Sequence, residues 1–307
     1  MSKRNPNHIK NGSVTASVII YLILALLAII CVYPMWYTII ISISKPIAAR
    51  TLDVYLLPKG LYWGSYGQLI VDKQMWICYG NTILYAGVCT IGMLATCAMC
   101  AYPLTSPLLA GKRIVVFFIL IPMYFSGGLI PQYIWLSKLG MYNTRWAIIF
   151  PGIVSMWYII LVRTYFASIP ESLRESARID GANNFQILFN VYLPTSKPIL
   201  AVIAIYTIVA QWNSWFAASI YLVKQNLQPL QLYLRRILIL QQNLTQAMES
   251  GQGGVTSDTS EGMEQMALSA DQLKYTMIVV STLPIMVVYP FFQKYFVKGV
   301  MVGSLKG

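Results

Sequence analysis

Apolar residues along this chain come in long unbroken runs, not in the short alternations of a soluble fold. Six stretches approach the roughly 20 mainly apolar residues that a bilayer-spanning helix needs, near 17–41, 78–101, 114–136, 146–162, 198–222 and 275–293. None contains Asp, Glu, Lys, Arg or His. The third is interrupted by Ser126-Gly127-Gly128, and the fourth is the shortest. The pattern predicts an all-α integral membrane protein with six transmembrane helices. A tail of residues 1–16 precedes a six-helix body over 17–307.

Polar punctuation divides the rest. Residues 42–77 carry Pro46, Pro58, Gly60, Gly64 and Gly67, and residues 102–113 carry Pro103, Pro107 and Gly111. The connection 163–197 is long for a link between spans, and such length usually signals function. The segment 223–274 is longer still and holds the polar, Gly-rich patch 249–260, read equally as a plain flexible loop or as the tip of a contact surface.

Composition agrees: 57% hydrophobic and 10% charged residues, with a mean hydropathy of +0.60, against roughly 25% charged in ordinary globular chains. The first run follows a basic tail (Lys3, Arg4, Lys10) but is too long for a signal core and lacks a small-residue cleavage site. It is expected to remain as the first helix, its N-terminus in the cytoplasm. Six spans then place both termini inside, with Lys112, Arg113, Arg163, Arg174, Arg178, Lys197, Lys294, Lys298 and Lys306 on inside segments. The opposing Lys45, Arg50, Lys59, Lys73, Arg235 and Arg236 lie mostly on two long loops, where the positive-inside rule has less force. The net charge of +12 flanks spans without forming a patch, so headgroups are its expected partner and nucleic acid is not.

Chemistry-bearing clusters are scarce. Cys97-x-x-Cys100 has metal or redox spacing but falls mid-span with no second pair, so an apolar packing role is expected for it and for Cys31, Cys78 and Cys89. His8, the one histidine, stands in the N-terminal tail. No metal site or catalytic set is expected. No phosphate-binding Gly-x-x-x-x-Gly-Lys-Ser/Thr loop occurs either, so the chain does not cradle a nucleotide by that route.

The connection Ile169–Pro194 reads as two short helices meeting at a corner. Pro170 suits a first helical position and Glu171 the positive end of the dipole. Asp180-Gly181 stops the first helix, and Asn183 or Asn184 caps the second. Phe185, Leu188, Phe189 and Tyr192 fall at i, i+3, i+4 and i+7, an apolar stripe, and Pro194 ends it before the fifth span. A hairpin lying on headgroups, with Arg174 and Arg178 on lipid phosphate, is the competing account.

This stretch resembles the signature loop of binding-protein-dependent ABC importer permeases, whose pattern runs Glu-Ala-Ala, two residues, Asp-Gly-Ala, then Ile-x-Leu-Pro. Glu175, Ala177, Asp180, Gly181, Ala182, Leu193 and Pro194 match at that spacing. Ser176 replaces the second-position Ala, Val191 the Ile, and Leu188 a usual Phe. Gly140-x-x-Asn143-Thr144 with Ala147 and Pro151, then Trp212-Asn213-x-x-Phe216, and the ending 293–307 resemble the carbohydrate branch, in particular permeases for complex or acidic oligosaccharides. The resemblance covers residues 15–307.

The resemblance implies a type I importer permease of the bacterial cell membrane, a transport subunit and not an enzyme. ATP and Mg would sit on a separate ABC ATPase dimer, and this chain would carry no cofactor. A second six-helix permease subunit, of a different chain, and an extracytoplasmic solute-binding protein complete the implied partners. Glu175, Ser176, Ala177, Asp180, Gly181, Ala182, Leu193 and Pro194 would form the ATPase-coupling loop, with Glu175 facing a basic partner and Ala177 and Ala182 allowing close approach. The segment 223–274 would help receive the binding protein. Asn81, Gln211, Trp212, Asn213 and Ser214 are the polar candidates for the pathway wall, with hydrogen bonding between helices as the competing account. An ion-coupled secondary transporter or a permease for a non-sugar solute are the alternatives.

Overall fold

A computed structural model describes residues 14–51, 53–107, 109–249, 272–288 and 290. Among them there is no strand, and a single antiparallel bridge joins Ser44 to Leu61. Three helices are long and apolar enough to cross a membrane: Ala16–Ser42, Lys73–Thr105 and Trp146–Ala167. Two further candidates are bent pairs, and Gln272–Val288 is a shorter apolar helix.

The bends have local causes. In the run 114–136 the helix Lys112–Tyr124 stops at Phe125, and Leu129–Lys138 starts behind Gly128 at φ +84, so the two halves meet at 112°. Such a φ is open to Gly at little cost. The run is therefore two helices, not one straight span. The run 146–162 likewise breaks at residues 153–155 between Trp146–Gly152 and Met156–Ala167, where Ser155 caps the second piece through Tyr158 N–H.

The chain forms two compact units. In the unit of residues 1–70 and 240–280, the helix Val14–Ser42 is exposed from Ala16 through Pro34, as an apolar helix surrounded by lipid would be. Below it a small core gathers Ile40, Ile41, Ala48, Ala49 and Val54. Its polar clasp is Gln272, fully buried, which donates to the Ser42 (3.2 Å) and Ser44 carbonyls and accepts from Ser65 Oγ at 2.9 Å.

The unit of residues 71–239 and 281–307 is built on the helix Lys73–Thr105, which packs most extensively on Lys197–Trp212 and Met156–Ala167. Small residues permit the approach: a Cβ on Gly92 would stand 2.4 Å from Ile153 Cγ2, and one on Gly152 would stand 2.7 Å from Cys89 Sγ. Close approach at small residues is how helices associate in lipid. Cys97 is buried in an apolar cluster and Cys100, one turn on, is exposed. Two apolar clusters result, one around Tyr85, Cys89 and Leu136, the other around Cys97, Phe166 and Tyr192. The second of these carries the candidate site.

Candidate coupling site

Backbone geometry makes the corner. The helix Glu171–Ile179 ends at Asp180, Gly181 stands at φ +77, and the chain reverses. Ala182 N–H donates to Ala177 O at 2.9 Å, and Gly181 N–H donates to Arg178 O at 3.0 Å. These are the 6→1 and 5→2 bonds of a Schellman cap, which satisfy the last carbonyls of a helix when the following residue is left-handed. The residue types of the signature follow from this cap. Gly181 supplies the sign of φ, while Ala177 and Ala182 are half-buried and pack on the Phe166–Tyr192 cluster. Their small size thus serves approach to their own protein.

The second helix begins with a reciprocal cap. Asn183 Oδ1 accepts from Gln186 N–H (2.9 Å) and Gln186 Oε1 accepts from Asn183 N–H (2.8 Å), a capping box that satisfies two orphan donors. The helix Asn184–Ile187 then widens into a π turn over Leu188–Tyr192, where Leu193 N–H donates to Leu188 O. Pro194 offers no N–H and its ring crowds the carbonyl four residues back; the wider turn relieves that conflict. The chain bends by 80° between Asn184–Thr195 and Lys197–Trp212.

The π turn also redistributes the expected stripe. Leu188 and Tyr192 are buried together with Ile187, whereas Phe185 (69% exposed) and Phe189 (59% exposed) face outward. Tyr192 is the anchor, edge-to-face with Tyr102 at 5.1 Å and with Phe166 at 5.2 Å. Each such pair is worth about 0.5–1.5 kcal/mol beyond area burial. Arg174 is buried at 2% exposure, paired with Glu171, so it does not lie on headgroups.

The outward surface is consistent in character. Glu175, Ser176, Asp180 and Gly181 are exposed beside Leu173, Ile179, Phe185 and Phe189, with Ile179 at 86%. Leu193 is half-buried and Pro194 exposed at the far end. Sequence reading placed Leu173 on one face with Ala177 by their i, i+4 spacing, yet Leu173 is exposed; the residue it passed over is Ile179. Ile179 lies off the inward face of the first helix, and that displacement from the buried period was its available signal.

The polar candidates for a pathway wall separate. Asn81 is 4% exposed; its Nδ2 donates to Asn226 O (2.7 Å) and Gln228 O (3.2 Å), and its Oδ1 accepts from Arg145. It belongs to a polar row on the helix Lys73–Thr105 that holds the segment after residue 222. Gln74 Nε2 donates to Gln225 O, Thr82 Oγ1 accepts from Leu230 N–H, and Tyr85 Oη donates to Leu227 O. Beyond this row, Tyr233 Oη donates to the Asp72 carboxylate. Burial first, then that bond, raises the Tyr233 hydroxyl pKa above the ordinary phenol range, so it remains a neutral donor. Trp212 is also buried, its indole N–H donating to Ser281 O at 3.0 Å. Gln211 and Ser214 are half-buried, and Asn213 is exposed, with Nδ2 donating to Val209 O.

Asn143 joins the same segment and was expected only as part of a motif. It stands at φ +57 as the one positive-φ non-Gly residue among those described, and its Oδ1 accepts from Val223 N–H (3.0 Å) and Lys224 N–H (2.9 Å). In 223–274, residues Leu230–Glu249 form a helix. Apart from Glu249, the patch 249–260 lies outside the described residues, as does the ending 293–307.

Residues 90–302 match the family described as binding-protein-dependent transport system inner membrane component. The chain is 32% identical over 292 residues to a Bacillus subtilis (strain 168) polygalacturonan/rhamnogalacturonan transport system permease protein, YtcP, covering 94% of this chain and 97% of that one. It is 31% identical to protein LplC of the same organism, over 91% and 90% of the two chains. A crystal structure of a bacterial ABC transporter involved in the import of the acidic polysaccharide alginate contains a chain that superposes with a TM-score of 0.79. That chain is 32% identical, with 91% of this chain and 96% of that one covered.

Proposed function

Because the chain belongs to the family of inner membrane components of binding-protein-dependent transport systems, we propose that it forms half of the translocation pathway of an ATP-driven importer for oligosaccharides. Membership makes it a multi-pass permease subunit of a transporter, not an enzyme, and displaces an ion-coupled carrier. Acidic oligosaccharides are the cargo class that suits it, by similarity to a chain of the alginate importer.

The observation that carries the reading is the capped corner at Gly181. It projects a short helix with Glu175, Leu173 and Ile179 outward, and Phe185 and Phe189 stand exposed beyond the corner. An acidic group beside exposed apolar side chains fits a groove on an ATPase that offers an apolar floor and a basic rim. ATP-driven closure of the ATPase pair would then move the corner, and through Tyr192 and the 80° elbow the helix Lys197–Trp212, in a rigid-body switch. A second six-helix permease, an ATPase dimer carrying ATP and Mg, and an extracytoplasmic binding protein complete the assembly, with both termini of this chain in the cytoplasm. Gln211, Asn213 and Ser214 remain the candidates for the pathway wall, since Asn81 and Trp212 are engaged in structure.

Gly181 permits a clean test. A Cβ there meets nothing within 4 Å, so a side chain acts through backbone conformation alone, at about 1–2 kcal/mol. Gly181→Leu is expected to insert normally, lose uptake of a labelled acidic oligosaccharide and no longer co-purify with the ATPase. Gly181→Asn, which tolerates the left-handed region, retains both. Normal uptake by Gly181→Leu would remove the coupling role.

A further inference from the structure

Away from the corner, Lys112, Arg113 and Arg163 line a pocket of about 470 Å³ whose remaining wall is Val116, Phe117 and Leu120. Among the described residues two of the cations touch backbone oxygens: Lys112 Nζ donates to Thr105 O and Arg163 Nε to Leu104 O, both at 3.5 Å. Among the described residues no carboxylate pairs with any of the three. A carbonyl accepts a hydrogen bond without cancelling the charge, so three positive charges converge uncompensated. The apolar wall runs on along the helix Lys112–Tyr124, which has no buried residue; Ile114, Phe117 and Phe118 are more than 60% exposed.

A convergence of cations opening onto an apolar helix face has the layout of a phospholipid, charged at one end and hydrocarbon at the other. We propose that this pocket binds the phosphate of an anionic phospholipid, its acyl chains lying against Val116, Phe117 and Leu120. Arg163 and Arg113 offer planar forks suited to two phosphate oxygens, and Lys112 adds a point charge. Basic pockets at the ends of membrane helices take anionic headgroups for this reason. An acidic segment of a protein partner would satisfy the charges but leave the Phe117 wall uncovered. The site is separate from the coupling corner and does not depend on it.

The test is native mass spectrometry of the whole importer released from phosphatidylcholine vesicles containing a minor share of phosphatidylglycerol. Wild type is expected to retain phosphatidylglycerol in preference to phosphatidylcholine, and raised salt during extraction lowers that retention. Lys112→Gln, Arg113→Gln and Arg163→Gln together reduce it on the order of a hundredfold, at about fivefold per charge. Lys138→Gln leaves it unchanged. If the triple variant does not assemble, Arg163→Gln alone lowers retention and Arg163→Lys keeps most of it. Equal retention by wild type and variants overturns the proposal, as does occupancy by inorganic phosphate with no lipid preference. Loss of the ATPase from the triple variant with lipid retention intact also overturns it and assigns the pocket to a protein partner.

Discussion

Single residues here do work that their type alone does not announce. Asn143 combines a positive φ with an oxygen that accepts two backbone N–H groups, a pairing open to Asn and Asp and closed to most others. Asn143→Ala is expected to cost about 2 kcal/mol, measured as a fall in the unfolding temperature of the solubilised importer. Asn143→Gly keeps the backbone and should cost less. Asn81→Ala would leave the Asn226 and Gln228 carbonyls and the Arg145 guanidinium short of a partner, at about 1–3 kcal/mol. Its reading is faster proteolytic cutting near residues 225–230, with transport affinity unmoved. Sequence alone made Asn81 a candidate for the pathway because its partners lie 64 to 147 residues away along the chain. The cap at Gly181 was legible because every bond that makes it is local.

At the scale of elements, helix contact is governed by what is missing from two glycines. Gly92 and Gly152 lie where neighbouring side chains already occupy the space of a Cβ. Gly92→Ala is expected to cost about 1–3 kcal/mol through overpacking against Ile153. Ile153→Ala in the same chain should recover part of it, a coupling that a double-mutant cycle on thermal unfolding would read directly. The Ser126-Gly127-Gly128 break was visible in the sequence, while its 112° angle was not. Glycine marks where a helix stops, and long-range packing fixes where the next one points. The stripe at 185–192 is split in the same sense: its α-helical period runs over a turn that is wider than α, which buries Leu188 and Tyr192 and leaves Phe185 and Phe189 exposed.

For the whole molecule, the proposed function delegates chemical work to partners and leaves shape as the chain's contribution. That assigns the outward faces a measurable role. Ile179 is 86% exposed and supports nothing inside the chain, so Ile179→Asp should leave folding and insertion intact. On a native gel of the extracted complex, the ATPase should separate from this subunit. Persistence of the full assembly would move the contact away from the first coupling helix. Family and fold were readable from the runs and the loop motif together. The oligosaccharide class was legible too, through the resemblance to the carbohydrate branch, but the particular sugar was not, because none of the six apolar runs carries a charged side chain that would select a solute by sign.

The π turn at Leu188–Tyr192 has a consequence in rotational phase. One residue inserted into or removed from an α-helix turns everything beyond it by about 100°. If this turn rewound to ordinary α, the same chain would present its coupling helix to a different azimuth around the axis of Lys197–Trp212. The distance in residues from Gly181 to Pro194 thus acts as a clock setting. Lengthening it by one would keep every side chain of the signature yet aim the corner away from the ATPase groove proposed for it.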